Sequence, residues 1–600
     1  MFIYSKRGAY MGNYRNFKLV YYFVAQETAS VKEEQLEEEI GFFEKYMRPD
    51  KVYLEPFRSG VLASDDQVEM CKRVFEHHGV EVAGGITTTM PTPEGQDSKQ
   101  RLFDTFCYND PLMIRQLIKV SEFLGRHYNE FIIDDFFFTN CTCEACRRGK
   151  DEYNKNHGIT DGSWSAYRLE LMEKVSREYM IAPAKAVNPD CRITIKYPNW
   201  AESYQQTGYN PAAQRKMFDR IYTGTEARDT VTTDQHLPRY LSYSLMTYFE
   251  NMWPDHNGGG WFDPFDLHIT EQYLEQAYLT AFSKPKELMM FCFQALLNNM
   301  YVPALGFQLD RLDNVLDHVG HPAGIFAYLP DNGHGEDNIQ DFLGMCGLPI
   351  ICTPYFPEHE HVILLTASSA CDQTVMEKLE RFVAEGGKAV VTNGFIRAMK
   401  DRGIAAMTSV EVSERKICGN HYRIETKERF SRVSFVTGSK SLTYPVCEFR
   451  NNASWALVKI AKDEESFGIL LRDTYGKGSL YTLAVPDNYP DLYQLPSETI
   501  SRIRGEFPVN GVWMEGEPNT SLFMYDNDAF ILYRYVTSAS QPTKVKIHKE
   551  GKCDGLEMPL MKGFMGKESF VIPPLYQNDT ETVFEIPVRP GEYQVYKIRM

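Results

Sequence analysis

Four cysteines have the spacing of a closed metal site. Cys141, Cys143 and Cys146 form a C-x-C-x-x-C run, and Cys107 precedes them in the chain. Three thiols at this spacing reach one tetrahedral ion, and a fourth from a neighbouring loop completes the shell that a structural zinc requires. We therefore expect structural zinc here, with scattered buried thiols as the alternative. Four thiolates leave no position for a reactive water, which disfavours a metal-dependent hydrolase.

Two adjacent carboxylates, Asp134 and Asp135, stand a few residues before the cysteine run. They lie between the apolar runs 131–133 and 136–138, which is unlike an ordinary solvated surface. If they end a strand, side-chain alternation turns one of them towards the mouth of the sheet and the other away, and the sequence leaves open which. Two facing carboxylates are what glycoside hydrolysis needs, one as the acid and one as the nucleophile or base.

Further acids and aromatic residues follow other predicted strands. Glu226 follows a β-rich stretch and a glycine, and Asp263 follows three glycines and an aromatic pair. Together with Asp134 and Asp135 they are the candidate catalytic residues. The candidate substrate-binding residues, also just past strand ends, are Glu55, Asn199, Trp200, Arg228 and Trp261. For each of these residues a loop or core position without a function is the alternative.

These residues come together only if the first part of the chain folds as repeated strand–helix units. Short apolar runs alternate there with amphipathic segments. Strands are expected at 18–24, 51–56, 80–87, 130–137, 192–197, 218–223, 258–262 and 287–293. Eight such units within residues 1–325 predict a (β/α)₈ TIM barrel, whose catalytic residues lie at the carboxyl ends of the strands. An open doubly wound sheet is disfavoured, because no glycine-rich phosphate turn follows the first strand.

The segment 236–252 decides which acid ends the seventh strand. Its apolar residues recur at helical spacing, so we predict a helix rather than a strand that ends at Glu250. The seventh strand then ends at Asp263, and Glu250 becomes an exposed acid at a helix end.

Two further domains are expected after the barrel. Residues 326–507 alternate short strands with a clear helix at 373–385, which is typical of a layered α/β domain. Residues 508–600 alternate apolar and polar residues between turn residues, which predicts a small antiparallel β-sandwich.

Composition narrows the range of partners. The chain has 600 residues and a formal net charge of −17, so nucleic acid and anionic membranes are not expected partners. Its 13 cysteines are mostly isolated, which favours a reducing compartment. No apolar stretch is long enough to span a membrane. We expect a cytoplasmic protein, or a periplasmic one if a signal peptide has been removed.

The region 106–146 resembles the family 42 β-galactosidases. The run Phe106-Cys107-Tyr108-Asn109-Asp110-Pro111, a helix, a strand ending in acids and the three-cysteine run follow in that family's order. The helix-Gly-Gly-strand pattern at 375–391 is also similar to the family's middle domain. The resemblance implies a (β/α)₈ barrel, an amidotransferase-like α/β oligomerisation domain, a small C-terminal β-domain and a four-cysteine zinc site. It also implies a homo-oligomer, a trimer or a dimer.

The resemblance assigns roles, and the chain departs from the family at two of them. Asp135 matches the acid/base and Asp134 matches an Asn, so Asp-Asp stands where the family has Asn-Glu. The nucleophile matches Asp263, or Glu250 if that residue ends a strand. The acids are also similar to the α-galactosidase arrangement, in which Asp134 or Asp135 attacks and Glu226 is the acid/base. We expect a distantly related, retaining glycoside hydrolase acting on terminal sugars of oligosaccharides or glycosides; the alternative is a catalytically silent carbohydrate-binding protein.

Overall fold

Eight parallel strands close into a barrel in the first half of the described chain. A computed structural model describes residues 13–92, 101–331, 333–426, 433–538, 541–560 and 569–600. The barrel strands are β1 (Lys18–Phe23), β2 (Lys51–Arg58), β3 (Glu81–Ile86), β4 (Glu130–Ile133), β5 (Arg192–Tyr197), β6 (Arg220–Gly224), β7 (Asn257–Phe262) and β8 (Glu287–Met290). Strand β1 pairs with both β2 and β8, which closes the cylinder. A short strand, Val61–Leu62, pairs with the end of β2.

The barrel strands are buried on both faces, as a parallel barrel requires. The apolar core along the axis consists of Val20, Tyr22, Tyr53, Ala83, Ile132, Tyr222, Trp261 and Met289. Large aromatic rings fit there because β7 is rich in glycine. A Cβ at Gly259 would collide with the carbonyl oxygen of Glu287 on β8.

A buried ion cluster fills the amino-terminal end of the barrel. The Lys51 ammonium contacts the carboxylate of Glu130 and lies 3.1 Å from Glu287 Oε1. Lys51 is 1% exposed, and its Nζ also donates to the hydroxyl of Tyr53. Residues at this end of a TIM barrel serve stability, because the chemistry takes place at the opposite end.

Helices cover the outside of the barrel. The helices of this region are Ala25–Thr28, Glu33–Glu44, Asp65–His77, Pro111–His127, Glu144–His157, Trp164–Lys174 with its continuations Val175–Ile181 and Ala182–Val187, Tyr204–Thr207, Pro211–Gln214, Leu241–Met252, Thr270–Phe282, Phe293–Leu296 and Tyr301–Leu316. Helix Pro111–His127 begins where the sequence predicts. Pro111 occupies its first turn, and the Asp110 side chain accepts the N–H of Leu112 at 2.8 Å.

The closed barrel and the helix in 236–252 are confirmed, whereas the predicted end of β4 is wrong. The strand ends at Ile133, four residues earlier than the predicted 130–137. Asp134 and Asp135 therefore lie in a turn, in which the Phe137 N–H donates to the Asp134 carbonyl at 3.2 Å. Because strand alternation no longer applies, both acids can face the same side.

The middle of the chain forms a second, mixed sheet. Its parallel strands, in spatial order, are Ile350–Thr353, Ile325–Tyr328, Val362–Leu365, Lys388–Thr392 and Gly478–Leu483. The antiparallel strands Glu465–Tyr475, Ser454–Lys462, Val410–Glu425 and Val433–Phe449 extend it. Helices Ile339–Met345, Val375–Glu385, Asn393–Ala398 and Ser497–Arg504 accompany this sheet. The sequence predicted its α/β character but not the antiparallel extension.

Two antiparallel sheets form the C-terminal part of the described chain. One contains Pro322–Ala323, Thr520–Tyr525, Ala529–Arg534, Tyr593–Arg599, Gly555–Pro559 and Ser569–Ile572. The other contains Val512–Glu515, Thr543–Glu550, Glu581–Val588 and Tyr576–Gln577. Within the ranges given above, no helix combines the length and apolar composition needed to cross a bilayer.

Candidate active site

A cavity of about 300 Å³ opens at the carboxyl ends of the barrel strands. It is lined by Arg58, Phe103, Asp134, Asp135, Phe136, Phe138, Lys196, Asn199, Trp200, Glu226, Arg228, Gln235, Trp261, Asp263, Phe265 and Phe291. All four candidate catalytic acids are in this lining. So are four of the five candidate substrate-binding residues, the exception being Glu55.

Lys196 lies at the centre of the cavity floor. It projects from β5, and its Nζ lies 2.7 Å from both Asp135 Oδ2 and Glu226 Oε1. The ammonium is 4.2 Å from the centre of the Trp261 ring and 3.8 Å from Asp134 Oδ1. The sequence places Lys196 near a strand end but gave it no role. The available signal is that Lys196 is in phase with Thr194, on the face of the strand opposite to Ile193 and Ile195.

The pKa of Asp135 is raised further than that of Asp263, the other cavity acid with a raised pKa. Burial raises its pKa to about 8, with repulsion from Asp134 and Glu226 adding to the shift and Lys196 opposing it. Its side chain remains 18% exposed towards the cavity. At neutral pH Asp135 is therefore mostly protonated and accessible, which is the state that a general acid needs.

Asp134 is ionised and has its oxygens occupied. Its Oδ1 accepts the Asp135 N–H at 2.8 Å, and its Oδ2 accepts from Arg58 at 2.8 Å and Thr87 at 2.9 Å. Burial acts to raise its pKa, but the charges of Arg58 and Lys196 hold the pKa below its usual value. The two neighbouring acids thus differ in protonation although both contact Lys196.

One carboxylate oxygen of Glu226, Oε1, is paired with Lys196, and the other, Oε2, is buried without a hydrogen bond to any described residue. Asn199 fixes the loop by donating from Nδ2 to the Glu226 carbonyl at 2.7 Å. Oε2 packs directly against Gly224, where a Cβ would lie 2.7 Å from it.

Asp263 is paired with Arg228 rather than free. The guanidinium donates from Nε at 3.1 Å and from Nη2 at 2.7 Å, and the Phe265 N–H lies 3.2 Å from Oδ1. Burial raises the pKa of Asp263 to about 6, against the lowering effect of Arg228. Both oxygens of this acid are engaged.

Glu55 and Glu250 lie outside the cavity. Glu55 is fully buried and accepts from Tyr22 at 2.7 Å, Ala25 at 3.0 Å, Arg58 at 2.7 Å and Thr87. The expectation that Glu55 binds substrate is therefore corrected: its lone pairs are used to hold Arg58 against Asp134. Glu250 is exposed near the end of helix Leu241–Met252 and accepts the Asp255 N–H at 2.8 Å.

The two tryptophans occupy different positions in the site. Trp200 is half-buried in the cavity wall and contacts Phe138 edge-on at 5.3 Å. Trp261 is 2% exposed, stacks on Phe291 at 4.9 Å and carries the Lys196 ammonium on its ring. Trp261 therefore lies beneath the lysine, and little of its ring is open for stacking on a ligand. The sequence did not predict the aromatic rim of Phe103, Phe136, Phe265 and Phe291. Phe136 and Phe291 fall in the predicted strands 130–137 and 287–293, which end at Ile133 and Met290 in the structure.

The four cysteines form one cluster beside the Asp134–Asp135 turn. All four Sγ atoms lie within 4.8 Å of one another, with Cys107 3.7 Å from Cys143 and 3.5 Å from Cys146. A tetrahedral ion with bonds of about 2.3 Å to sulfur needs sulfur–sulfur edges of about 3.8 Å, so the cluster fits a metal. Asn109 donates to Cys146 Sγ at 3.4 Å, as residues behind metal ligands commonly do. The cluster ties the segment before helix Pro111–His127 to the loop after β4.

A closed barrel with acids at its carboxyl mouth, followed by an α/β and a β-sheet part, defines a protein of the glycoside hydrolase type. Residues 7–308 match the family model described as "probable glycosyl hydrolase, catalytic domain", over half of the chain. The chain belongs to this glycosyl hydrolase family. Residues 320–488 match the model of the second domain of uncharacterized protein SSO3021, and residues 511–598 match "probable glycosyl hydrolase, C-terminal domain".

A curated relative and solved structures share this architecture. Uncharacterized protein SSO3021 of Saccharolobus solfataricus is 23% identical over 521 residues, 80% of this chain and 83% of that protein. The β-galactosidase from Bacillus circulans sp. alkalophilus is 11% identical with a TM-score of 0.62, covering 97% of this chain and 99% of its own. The β-galactosidase from Rahnella sp. R3 is 12% identical with a TM-score of 0.60, covering 97% and 98%. The resemblance to family 42 is thus confirmed at the level of the fold.

Proposed function

We propose that this protein is a retaining glycoside hydrolase that removes terminal sugars from oligosaccharides or glycosides, with Asp135 as acid/base and Glu226 as nucleophile. One observation carries the proposal. At the barrel mouth the carboxyl groups of Asp135 and Glu226 meet on one ammonium, where burial raises the pKa of Asp135 to about 8 and Glu226 keeps one oxygen without a hydrogen bond from the described residues. A proton donor and a second carboxyl group are what the first step of glycoside hydrolysis needs.

In the first step Asp135 gives its proton to the glycosidic oxygen while Glu226 Oε2 attacks the anomeric carbon. The bond between that carbon and the leaving oxygen breaks, and an ester to Glu226 forms. In the second step Asp135, now a carboxylate, takes a proton from water, and the water oxygen replaces Glu226. Asn199, Trp200 and Arg228 line the sugar pocket, and Trp261 supports it from below.

The close approach of the two carboxyls supports retention. Asp135 Oδ2 and Glu226 Oε1 each lie 2.7 Å from the same nitrogen, so these oxygens are at most twice that distance apart. Retaining enzymes place their carboxyls ~5–5.5 Å apart, whereas inverting enzymes leave ~6.5–9.5 Å for a water.

We assign the nucleophile to Glu226 although the family resemblance points to Asp263. Both oxygens of Asp263 and both oxygens of Asp134 already accept charged or neutral donors. Attack by either acid would first require breaking an ion pair with arginine. Glu226 Oε2 accepts no hydrogen bond in the described part of the chain, but it is buried, so attack requires the side chain to turn this oxygen into the cavity.

The size of the cavity supports a terminal sugar as the bound unit. At about 300 Å³ it is at the small end of ligand pockets, and the barrel core closes its floor. Binding of one terminal ring, with the leaving group towards the aromatic rim, fits this shape.

We also propose that the cysteine cluster binds zinc in a structural role. Four thiolates suit zinc and leave no open position, so the ion would hold the loop that carries Asp134 and Asp135 without touching the substrate.

We further propose three domains, 1–325, 326–507 and 508–600, assembled as a homo-oligomer through the middle one. The separate matches at 7–308, 320–488 and 511–598 support the division.

Cys143→Ser is expected to abolish stoichiometric zinc and to lower the midpoint of thermal unfolding by roughly 5 °C or more, because losing a metal ligand is among the most destabilising single changes. Elemental analysis and thermal melts of the purified protein measure both effects. Cys418→Ser is the control, since Cys418 is exposed and outside the cluster. Unchanged zinc content and stability in Cys143→Ser would show that the cluster binds no metal.

The proposed activity is tested with a panel of aryl α- and β-glycosides of common sugars, with proton NMR to identify the anomer first released. We expect hydrolysis of at least one terminal glycoside with retention. Release of the opposite anomer contradicts the close-carboxyl mechanism. Binding of sugars without any hydrolysis supports the silent carbohydrate-binding alternative instead.

A further inference from the structure

We propose that Lys196 is a positioning residue that balances a negative charge as it moves from Glu226 to Asp135 during the reaction. This inference rests on the proposed function and names the device that lets one site act first as acid and then as base. No role for this lysine follows from the sequence patterns or from the family match.

The ammonium of Lys196 is surrounded by protein side chains and is not available to a substrate. Two of its N–H groups are directed to Asp135 and Glu226, each at 2.7 Å. The remaining side of the ammonium faces Asp134 at 3.8 Å and the Trp261 ring at 4.2 Å. Its side chain is 2% exposed. Lys196 therefore acts through the two carboxyls and does not contact the sugar.

The charge shared by the two acids stays the same while its location changes. In the proposed first step Asp135 acts as the acid and Glu226 as the carboxylate nucleophile. After that step the proton has left with the leaving group, and Glu226 is a neutral ester, so Asp135 carries the negative charge. An ammonium equidistant from both acids pairs with the charge in either place without moving. This preorganisation avoids a reorganisation cost in both steps.

The other charged groups of the cavity are paired among themselves. Asp134 is held by Arg58 and Asp263 by Arg228, at 2.8 and 2.7 Å. Lys196 is thus the cation directly on the Asp135–Glu226 pair in the described part of the site. Burial acts to lower its pKa, but Asp135, Glu226 and Asp134 together raise the pKa above its usual value. Lys196 stays charged throughout, so it is neither the acid nor a nucleophilic amine.

The first test compares Lys196→Met with Lys196→Arg, using Lys51→Met as a matched control. Lys51 is equally buried and also contacts two glutamates, but at the opposite end of the barrel. Loss of the ammonium removes the lowering effect of Lys196 on the pKa of Asp135, so the basic limb of the kcat/KM profile should move up by roughly one pH unit or more in Lys196→Met. We expect a rate loss of roughly 10²-fold in both steps. Lys196→Arg keeps the charge and should keep the basic limb at the wild-type pH.

The second test needs no variant, so it stands even if Lys196→Met does not fold. A 2-deoxy-2-fluoro glycoside of the best substrate traps the ester to Glu226, and its release requires ionised Asp135. Esterification removes the repulsion from Glu226 and leaves Lys196 paired to Asp135 alone, and both changes favour ionised Asp135, so release should titrate roughly two pH units below the basic limb of kcat/KM.

The outcomes separate this inference from the proposed function. If the wild type hydrolyses no glycoside, the proposed function fails and the role of Lys196 falls with it. If the wild type is active but Lys196→Met keeps the wild-type basic limb, or release titrates with the basic limb, only the role of Lys196 is overturned. A shift of the basic limb in Lys51→Met would show that loss of any buried lysine produces the effect, which also overturns the proposal.

Discussion

Glu226→Gln is expected to lower kcat/KM for an aryl glycoside by roughly 10⁴-fold or more, the scale of losing a nucleophile from a catalytic group that works as a unit. The amide keeps the shape of the side chain and can still accept from Lys196, so the variant should fold and bind sugar. It lacks the charged oxygen that attacks the anomeric carbon. Steady-state kinetics and thermal melts measure the two properties separately.

Two comparisons make the assignment of Glu226 specific. Glu250→Gln, on the exposed end of helix Leu241–Met252, should retain wild-type activity. Glu226→Ala with added azide should release a glycosyl azide of inverted configuration, because azide takes the place of the missing carboxylate. If Asp263→Ala instead shows the 10⁴-fold loss and the azide product, the nucleophile is the acid indicated by the family resemblance.

The barrel was predictable because its signal is periodic and local. Each strand is a short apolar run between turn residues, and each outer helix has a stripe of apolar residues. The helix at Leu241–Met252 follows from the same spacing, and this assignment moved Glu250 away from the site. The antiparallel extension of the middle sheet was not predictable in this way. Its long strands are partly exposed and carry many charges, so their pairing depends on partners distant in the chain.

The sequence predicted where the acids of the site lie in the chain. Their protonation states depend on neighbouring residues that no sequence pattern reveals. Asp134 and Asp135 are identical in type and adjacent, yet the pKa of one is lowered and that of the other is raised. Arg58 and Lys196 lower the pKa of Asp134, whereas burial and repulsion from Asp134 and Glu226 raise the pKa of Asp135. Arg58 is in turn held by Glu55, which looked like a substrate contact and is a support.

The role of Lys196 was likewise not predictable from the sequence. A lysine in a strand is usually an edge or surface residue, and nothing local indicates three carboxylates around it. Parallel pairing of β4 with β5 and of β5 with β6 brings the ends of these strands side by side, so that Asp135 and Glu226 meet on one nitrogen. The centre of the site is thus a long-range property of the fold.

Asp135→Asn is expected to slow hydrolysis of glycosides with poor leaving groups by roughly 10²–10⁴-fold, because protonation of the leaving oxygen is lost. A dinitrophenyl glycoside leaves without protonation, so the first step with that substrate should stay close to the wild-type rate. The wild type should lose activity on poor leaving groups as the pH rises through about 8, where Asp135 gives up its proton. The variant should lack this alkaline limb. Rates against leaving-group pKa and against pH measure both effects.

The leaving-group dependence separates an acid from a residue that merely shapes the pocket. Asp134→Asn is the matched comparison, because Asp134 is adjacent and buried but holds Arg58 and is already ionised. Its loss of activity should be similar for good and poor leaving groups, and its alkaline limb should persist. If Asp134→Asn removes the alkaline limb and stays active only on substrates with good leaving groups, while Asp135→Asn does neither, the two acids have the opposite roles. If both variants slow all substrates equally, neither acid protonates the leaving oxygen, and the acid must be sought at Asp263, whose burial-raised pKa of about 6 makes it the next group able to hold a proton.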